Sequence, residues 1–262
     1  MKIIVLMKPT PNIEKVKFDV KRGVVDRSSV ELEINPFDLH AIEAAVRIKE
    51  QLGGTVTVIS MAPPHAEPAL RDAIARGVDR AILLSDKRFA GADTLATSYT
   101  LASAIKKIRE FDLIICGEKS VDGDTGQVGP EVAEFLGIPH ASYVVEIRNV
   151  SKENITVVSD FGNAYYLLKL KLPALISVTK EVNTPRKPKL RDLLKARRAK
   201  IEIWNAEYLR DVLDIDKIGL RGSATRVVKA FYAFERGRKG VIVKGDEGVR
   251  KLIELLKTEG VI

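Results

Sequence analysis

The chain of 262 residues predicts an α/β fold in which a mainly parallel, doubly wound sheet carries a C-terminal arm. Three observations lead there. Short Ile/Val/Leu-rich runs alternate four times with amphipathic stretches over the first 140 residues. The runs are continuously apolar, as strands buried on both faces must be. The composition turns strongly basic only after residue 184.

The first strand candidates are residues 3–7, 55–60, 80–84 and 112–116. Between the first two, Asn35 stands as an N-cap with Pro36 at the first helical position. Ala41, Ile42, Ala45, Ile48 and Leu52 then form one apolar stripe, which Gly53-Gly54 ends. A second helix, 66–76, stops at Gly77, and a third, 92–109, aligns Leu95, Tyr99, Ala102, Ile105 and Ile108. A fourth, 127–136, ends at Gly137 with Pro139 beyond. Sheets of this kind bind ligands outside the carboxyl ends of their strands, here residues 6–11, 60–64, 85–91 and 117–129. After residue 140, runs at 142–148, 155–159, 165–170 and 174–178 follow without helices, which predicts an antiparallel addition to the same domain.

From Thr184 the character changes. Pro185, Pro188 and eight basic residues against one acidic over 186–200 predict an arm. A short helix pattern at 209–212, a run at 224–234 and an amphipathic helix over 246–259 follow. The expected division is a body, 1–184, and a basic extension, 185–262.

A net charge of +8 and a pI near 9.4 first suggest a polyanionic partner. Position removes that suggestion. Residues 1–184 hold 23 Lys/Arg against 24 Asp/Glu, whereas residues 185–262 hold 20 against 11. No aromatic interleaves the cations at 186–200, so the stacking platforms of nucleic-acid binding are missing. One cysteine, Cys116, allows no internal disulfide, and no apolar run reaches the ~18 residues of a membrane span. The first eight residues hold too few apolar side chains for a signal-peptide core, so a cytoplasmic protein is expected.

The densest chemical signal is the loop from Gly117 to Pro130, after the fourth strand and opening the fourth helix. Its glycines let backbone amides approach a ligand, and Ser120, Thr125 and the helix N-terminus offer donors to a phosphate. The spacing is neither GxGxxG nor GxxxxGK[ST], which leaves a nucleotide loop, with an adenine nucleotide as its natural guest, or an ordinary turn. Asp122 and Asp124 read as turn and cap residues, since no His or third carboxylate clusters with them to hold a metal. His40, His65 and His140 are scattered without a Ser/His/Asp spacing, and Cys116 reads as a packed thiol. Neither a catalytic side chain nor a metal site is expected.

Three separated stretches then match a known family: Asn35-Pro36-Phe37-Asp38 with residues 41–49, Asp122-Gly123-Asp124-Thr125-Gly126-Gln127-Val128-Gly129-Pro130, and Pro173-Ala174-Leu175-Ile176-Ser177-Val178. In this order they resemble the electron transfer flavoprotein β-subunit, and the similarity runs from Lys2 to the C-terminus, including 186–200 and 222–229. The resemblance implies a Rossmann-like fold that pairs with an FAD-carrying α-subunit as a soluble electron carrier. It implies an adenine-nucleotide site made of Leu6 and Lys8 after the first strand, Asn35, Pro36, Phe37 and Asp38, and Met61 after the second strand. Glu118, Lys119, Ser120, Val121, Asp122, Gly123, Asp124, Thr125, Gly126, Gln127, Val128 and Gly129 complete it.

The family has two versions of that site. Ordinary carriers hold AMP; electron-bifurcating members hold a second FAD whose adenosine half occupies the same place. Gly123 stands where AMP-type members carry a third acidic residue, so the resemblance is closer to the bifurcating branch, with FAD expected and AMP as the alternative. In that branch NADH reduces the β-site flavin, which sends one electron to the α-subunit's FAD and one to a low-potential acceptor. The family docks acyl-CoA-type and other flavin dehydrogenases through the segment at 186–200, which implies Leu190 as an apolar anchor with Lys195, Arg197 and Arg198 among its cations. The extension is expected to pack on the α-subunit. One hairpin departs from the family: Asp160-Phe161-Gly162-Asn163 replaces an acidic residue followed by adjacent glycines. A universal-stress-type nucleotide-binding protein shares the alternating sheet and a glycine loop but lacks the extension and the basic arm.

Overall fold

The structure, a computed structural model, describes residues 1–11, 32–226, 242 and 244–262, and the backbone of two short strands at 18–19 and 24–25. In chain order, β1 (Lys2–Leu6), β2 (Pro9–Pro11), β3 (Phe18–Asp19), β4 (Val24–Val25) and β5 (Leu32–Ile34) precede α1 (Pro36–Leu52). Then come β6 (Thr55–Met61), α2 (Glu67–Ala75), β7 (Arg80–Leu84), α3 (Thr94–Ile108), β8 (Leu113–Gly117) and α4 (Val128–Leu136). β9 (His140–Val150), β10 (Asn154–Asp160), β11 (Tyr165–Lys171) and β12 (Ala174–Val178) follow, then α5 (Leu190–Arg197), β13 (Ile201–Trp204), α6 (Gly219–Gly222) and α7 (Gly245–Thr258).

Nine of the described strands form one sheet in the order β11-β10-β9-β12-β8-β1-β6-β7-β13. Seven of them, β9, β12, β8, β1, β6, β7 and β13, run parallel, and β10 is antiparallel to both β9 and β11. The antiparallel addition expected after residue 140 is this meander. At the departing hairpin, Asp160 Oδ1 accepts from the Gly162 N–H at 2.7 Å, and Gly162 takes the left-handed φ of 84° that the turn needs.

Strand side chains alternate faces, so the central strands feed two cores. Ile3, Val5, Leu113 and Ile115 pack with Ala41, Ile42 and Ala45 of α1 and Leu70 of α2. Ile4, Leu6, Ile114 and Cys116 pack on the other face with Leu101 and Ile105 of α3 and Val132 and Ala133 of α4. The continuous apolar runs are thus needed on both sides. From β1 the chain winds outward through β6 and β7, then crosses back to β8 on the other side of β1. The winding direction reverses between β1 and β8, and the crevice of such a sheet opens there.

Three expectations change. Residues 209–212 form turns rather than a helix, because Arg210 N–H and Val212 N–H bond three residues back, to Glu207 and Leu209. Residues 201–204, unassigned from sequence, pair in parallel with β7, held by Arg80 Nε and Nη2 on Glu202 (2.7 and 2.8 Å) with Trp204 buried. A compact unit therefore runs from Met1 to Arg226, past the charge boundary at 184. The second unit, Val227–Ile262, contains α7, close to the helix expected at 246–259. The run expected at 224–234 falls outside the described residues beyond Arg226. Among the described residues, no helix is long and apolar enough to cross a membrane.

Candidate functional site

The carboxyl ends of β1 and β8 meet over the amino end of α1. Asp38, in the first turn of that helix, is buried. Its Oδ2 accepts from the Lys8 N–H at 2.7 Å and its Oδ1 from the Gly117 N–H at 3.0 Å. One carboxyl group thus joins the two segments that flank the reversal point. Burial outweighs these bonds and pushes Asp38 from the ordinary 3.8 up to about 7. Gly117 is confined by the same contact: a Cβ there would lie 2.5 Å from Asp38 Oδ1 and 2.6 Å from Phe37 Cβ.

Asn35 sits at the N-cap position, but its side chain caps nothing. Its Nδ2 donates to the Lys119 carbonyl (2.9 Å) and its Oδ1 accepts from the Val121 N–H (3.2 Å), so it orders the glycine loop. The tertiary partners have taken the polar atoms that a helix end would otherwise use. At the rim, Lys8 Nζ pairs with Asp122 (2.7 Å) and Lys119 Nζ with Asp124 (2.8 Å), and Lys8 also donates to Ser120 Oγ at 3.3 Å. Asp122 and Asp124 therefore tie the loop to lysines and do not cap α4. The N-cap of α4, Gln127, makes no side-chain capping bond either, its Oε1 accepting instead from Thr94 Oγ1 at 3.2 Å, so the first-turn amides lack a side-chain acceptor.

These segments enclose a cavity of about 370 Å³. Of the residues implied from sequence, Leu6, Lys8, Asn35, Asp38, Met61, Glu118, Lys119, Ser120, Gly123, Thr125, Gly126, Gln127, Val128 and Gly129 line it. Pro36, Phe37, Val121, Asp122 and Asp124 are not among the residues that line it. Phe37 lies beneath Lys119 and Lys180, whose Nζ atoms are 5.8 and 4.6 Å from its ring. Cys116 is the packed thiol expected; burial drives its pKa far up, and a Cβ at Gly129 would lie 2.9 Å from its Sγ.

One wall was missed from sequence. Ala92, Asp93, Thr94, Thr97 and Leu101, at the start of α3, line the cavity, as do Met7, Cys116 and Gly117. The available signal was Asp93 before an apolar-periodic segment, an N-cap pattern. Asp93 Oδ1 caps the Ala96 N–H (3.0 Å), while Oδ2 accepts from the Thr225 N–H and Oγ1 (2.9 and 3.0 Å). Burial acts to raise Asp93, but these donors win and hold it below the usual carboxylate range. Leu190, Lys195 and Arg197 on α5 and Arg198 at its C-cap lie apart from this lining, and all four are exposed.

The donor set suits an anionic guest. Uncapped amides of α4, the Ser120 and Thr125 residues and the rim lysines converge on the cavity, and a Cβ at Gly123 would stand 3.2 Å from Ser120 Oγ. Among the described residues, no group of His, Cys, Asp and Glu could hold a metal ion.

Gly117→Ala is expected to cost about 2–3 kcal/mol in urea unfolding, because backbone and a buried carboxyl block the new methyl. Asp38 also imposes a pH dependence. Between about 4 and about 7 the unfolded chain has lost the Asp38 proton and the folded chain keeps it, so this contribution to stability falls as pH rises through the window and levels off above it. Urea titrations at pH 4.5 to 8 should show that fall relative to Asp38→Asn; equal slopes in the two proteins would contradict it.

The sequence matches the family described as the electron transfer flavoprotein domain over residues 22–209. It is 41% identical, over the whole of both chains, to the electron transfer flavoprotein subunit beta of Thermoanaerobacterium thermosaccharolyticum. It is 41% identical to the protein FixA of Azorhizobium caulinodans, over 94% of this chain and 90% of that one. To the caffeyl-CoA reductase-Etf complex subunit CarD of Acetobacterium woodii it is 38% identical over the full length of both. The universal-stress reading falls with these matches. The cavity at the β1/β8 reversal thus sits in a chain that belongs to the electron transfer flavoprotein family, on its β-subunit side.

Proposed function

We propose that this chain pairs with an FAD-carrying α-subunit and holds, in the cavity at the β1/β8 reversal, the adenosine half of a second FAD used for electron bifurcation from NADH. The observation that carries the reading is the cavity itself, at the family's electron-carrying fold, with Gly123 leaving the stretch between Asp122 and Asp124 without a third acidic side chain. A volume of about 370 Å³ lies at the small end of ligand sites, roughly 300–1,000 Å³, so a dinucleotide would be only partly enclosed. The same size suits AMP, which keeps the non-bifurcating carrier as the second reading. The relative named for a caffeyl-CoA reductase-Etf complex supports service to an acyl-CoA-type flavin dehydrogenase.

Bound flavin would supply the one- and two-electron chemistry. This chain's residues bind and orient it. Leu6, Met61 and Leu101 give the cavity apolar wall, while Ser120, Thr125 and the first amides of α4 would take phosphate oxygens. Asp38 lines the same cavity, and its raised pKa keeps a large share of it uncharged near neutrality, which limits repulsion of a phosphate.

On α5, Leu190 is 73% exposed, and Leu193 and Leu194 are exposed beside it. A dehydrogenase with an apolar pocket ringed by acidic residues complements this face: the cations steer the encounter and the leucines supply short-range burial.

Co-expression with the α-subunit and flavin counting test the cofactor. Two flavins per heterodimer are expected, and one flavin with one AMP would establish the simple carrier instead. Gly123→Glu should lower the count towards one, since a side chain there approaches Ser120 Oγ and the Lys8 Nζ. Leu190→Ala should slow electron delivery to a dehydrogenase while leaving flavin content intact; unchanged transfer rates would sink the docking role.

A further inference from the structure

The approach to α5 is registered along α1 before the helix begins. Lys180 Nζ sits 4.6 Å over the Phe37 ring. Asn183 Nδ2 donates to the His40 carbonyl, and His40 Nδ1 bonds the Asn183 carbonyl, each at 2.9 Å. Arg47 Nη2 donates to the Thr184 carbonyl at 3.2 Å. Arg186 closes this root. Its guanidinium donates to the buried Glu43 at 2.7 Å and to the two Glu50 oxygens at 2.6 and 2.9 Å, and Arg76 donates to the Arg186 carbonyl at 2.8 Å.

The other end of α5 is gripped from α2. Arg71 Nη1 donates to the carbonyls of Ala196, Arg197 and Ala199 at 2.9, 2.8 and 2.8 Å, while Glu67 holds its other terminal nitrogen. Ala196 and Arg197 belong to the last turn of α5 and Ala199 lies just past its C-cap, so one guanidinium nitrogen gathers the carbonyls where intrahelical donors run out. Between the two ends Ala196 alone is buried, against outward Leu190, Leu193 and Leu194. A helix of eight residues does not persist alone in water, and this one buries almost nothing of its own. Two arginines and their partners on α1 and α2 supply what its packing does not.

We propose that Arg71 and Arg186 are positioning residues for partner docking: Arg71 grips the C-terminal end of α5 and Arg186 fixes the segment that leads into it, four residues before its first turn, so that Leu190 and Leu194 stand preset in an outward apolar face. This rests on the docking reading of α5. A partner that meets a preset helix is spared the ordering of eight residues on contact, which would otherwise be subtracted from its affinity. Arg71 is not one of the outward cations of the arm, so its contribution separates from electrostatic steering.

The test uses the heterodimer and a dehydrogenase partner, with electron delivery measured against dehydrogenase concentration. Arg71→Gln should raise KM about tenfold, leave kcat and flavin content unchanged, and keep the wild-type salt dependence. Amide exchange over residues 191–198 should speed up by a similar factor. Arg71→Lys keeps the charge but loses the planar fork, so it should recover only part of the affinity. Lys195→Ala, by contrast, should flatten the salt dependence without changing exchange. Glu67→Gln, which loosens Arg71 without removing it, gives a milder version of the Arg71→Gln phenotype should that variant fold poorly. If Leu190→Ala raises KM while Arg71→Gln changes neither KM nor exchange, the clamp is overturned and docking by α5 stands. If neither variant moves KM, docking by α5 falls and the clamp falls with it.

Discussion

One buried carboxyl group holds the site together. A doubly wound sheet spreads its connections apart where the winding reverses, and the chain leaving β1 and the chain leaving β8 each present a backbone N–H there. Asp38 accepts both, from Lys8 and from Gly117. The constraint spreads outward from it. Gly117 has no space for a side chain, Pro36 fixes the start of the helix that delivers Asp38, and Phe37 is packed against both. Asn35, one residue before the helix, is then in position to fasten the loop at Lys119 and Val121. Four consecutive residues thus connect β1, β8, α1 and the glycine loop. The arrangement requires a buried carboxyl, and its displaced pKa is the consequence.

The same helix organises a second region. The amino end of α1 borders the cavity, and its flank carries His40, Glu43, Arg47 and Glu50, which hold residues 183–186. A buried glutamate is costly unless paired and hydrogen-bonded. Burial works to raise Glu43, but bonds from Arg186 and Arg47 outweigh it and keep the group ionised. The arm therefore leaves the body at a place fixed by a charge cluster centred on buried Glu43, and the composition change at residue 184 marks a change of surface within one folded unit.

Much of this was legible in the residues. Strand ends could be located because strands buried on both faces must be apolar throughout, and glycines marked the helix stops. The loop after β8 stood out because four glycines with hydroxyl neighbours are rare in a packed chain. Other features could not be read locally. Asn35 has the composition of an N-cap, and only the three-dimensional neighbourhood decides that its side chain bonds Lys119 and Val121 instead. Residues 201–204 make too short an alternation to be distinguished from loop, and β7 supplies the partner that turns them into a strand. The α3 wall carries small side chains with little chemical signature, apart from Asp93, so its place in the cavity follows from topology rather than from residue type.

The charge of the extension acquires a geometry once individual cations are followed. Arg186 is half-buried and taken up by buried Glu43 and exposed Glu50. Arg210, Lys217 and Arg221 pair with nearby Glu207, Asp214 and Asp216. Lys187, Lys189, Lys195, Arg197, Arg198 and Lys200 have no ion pair among the described residues, and they bracket the exposed leucines of α5. Surface charges act over a Debye length of about 8–10 Å, whereas apolar contact acts only on touching. On the docking reading, the cations set how often a partner arrives and the leucines set how long it stays, and both depend on one helix being held in one pose. A flexible tail of the same composition would keep the attraction and lose the register, which is why the internal arginine pairs matter more to this surface than its net charge does.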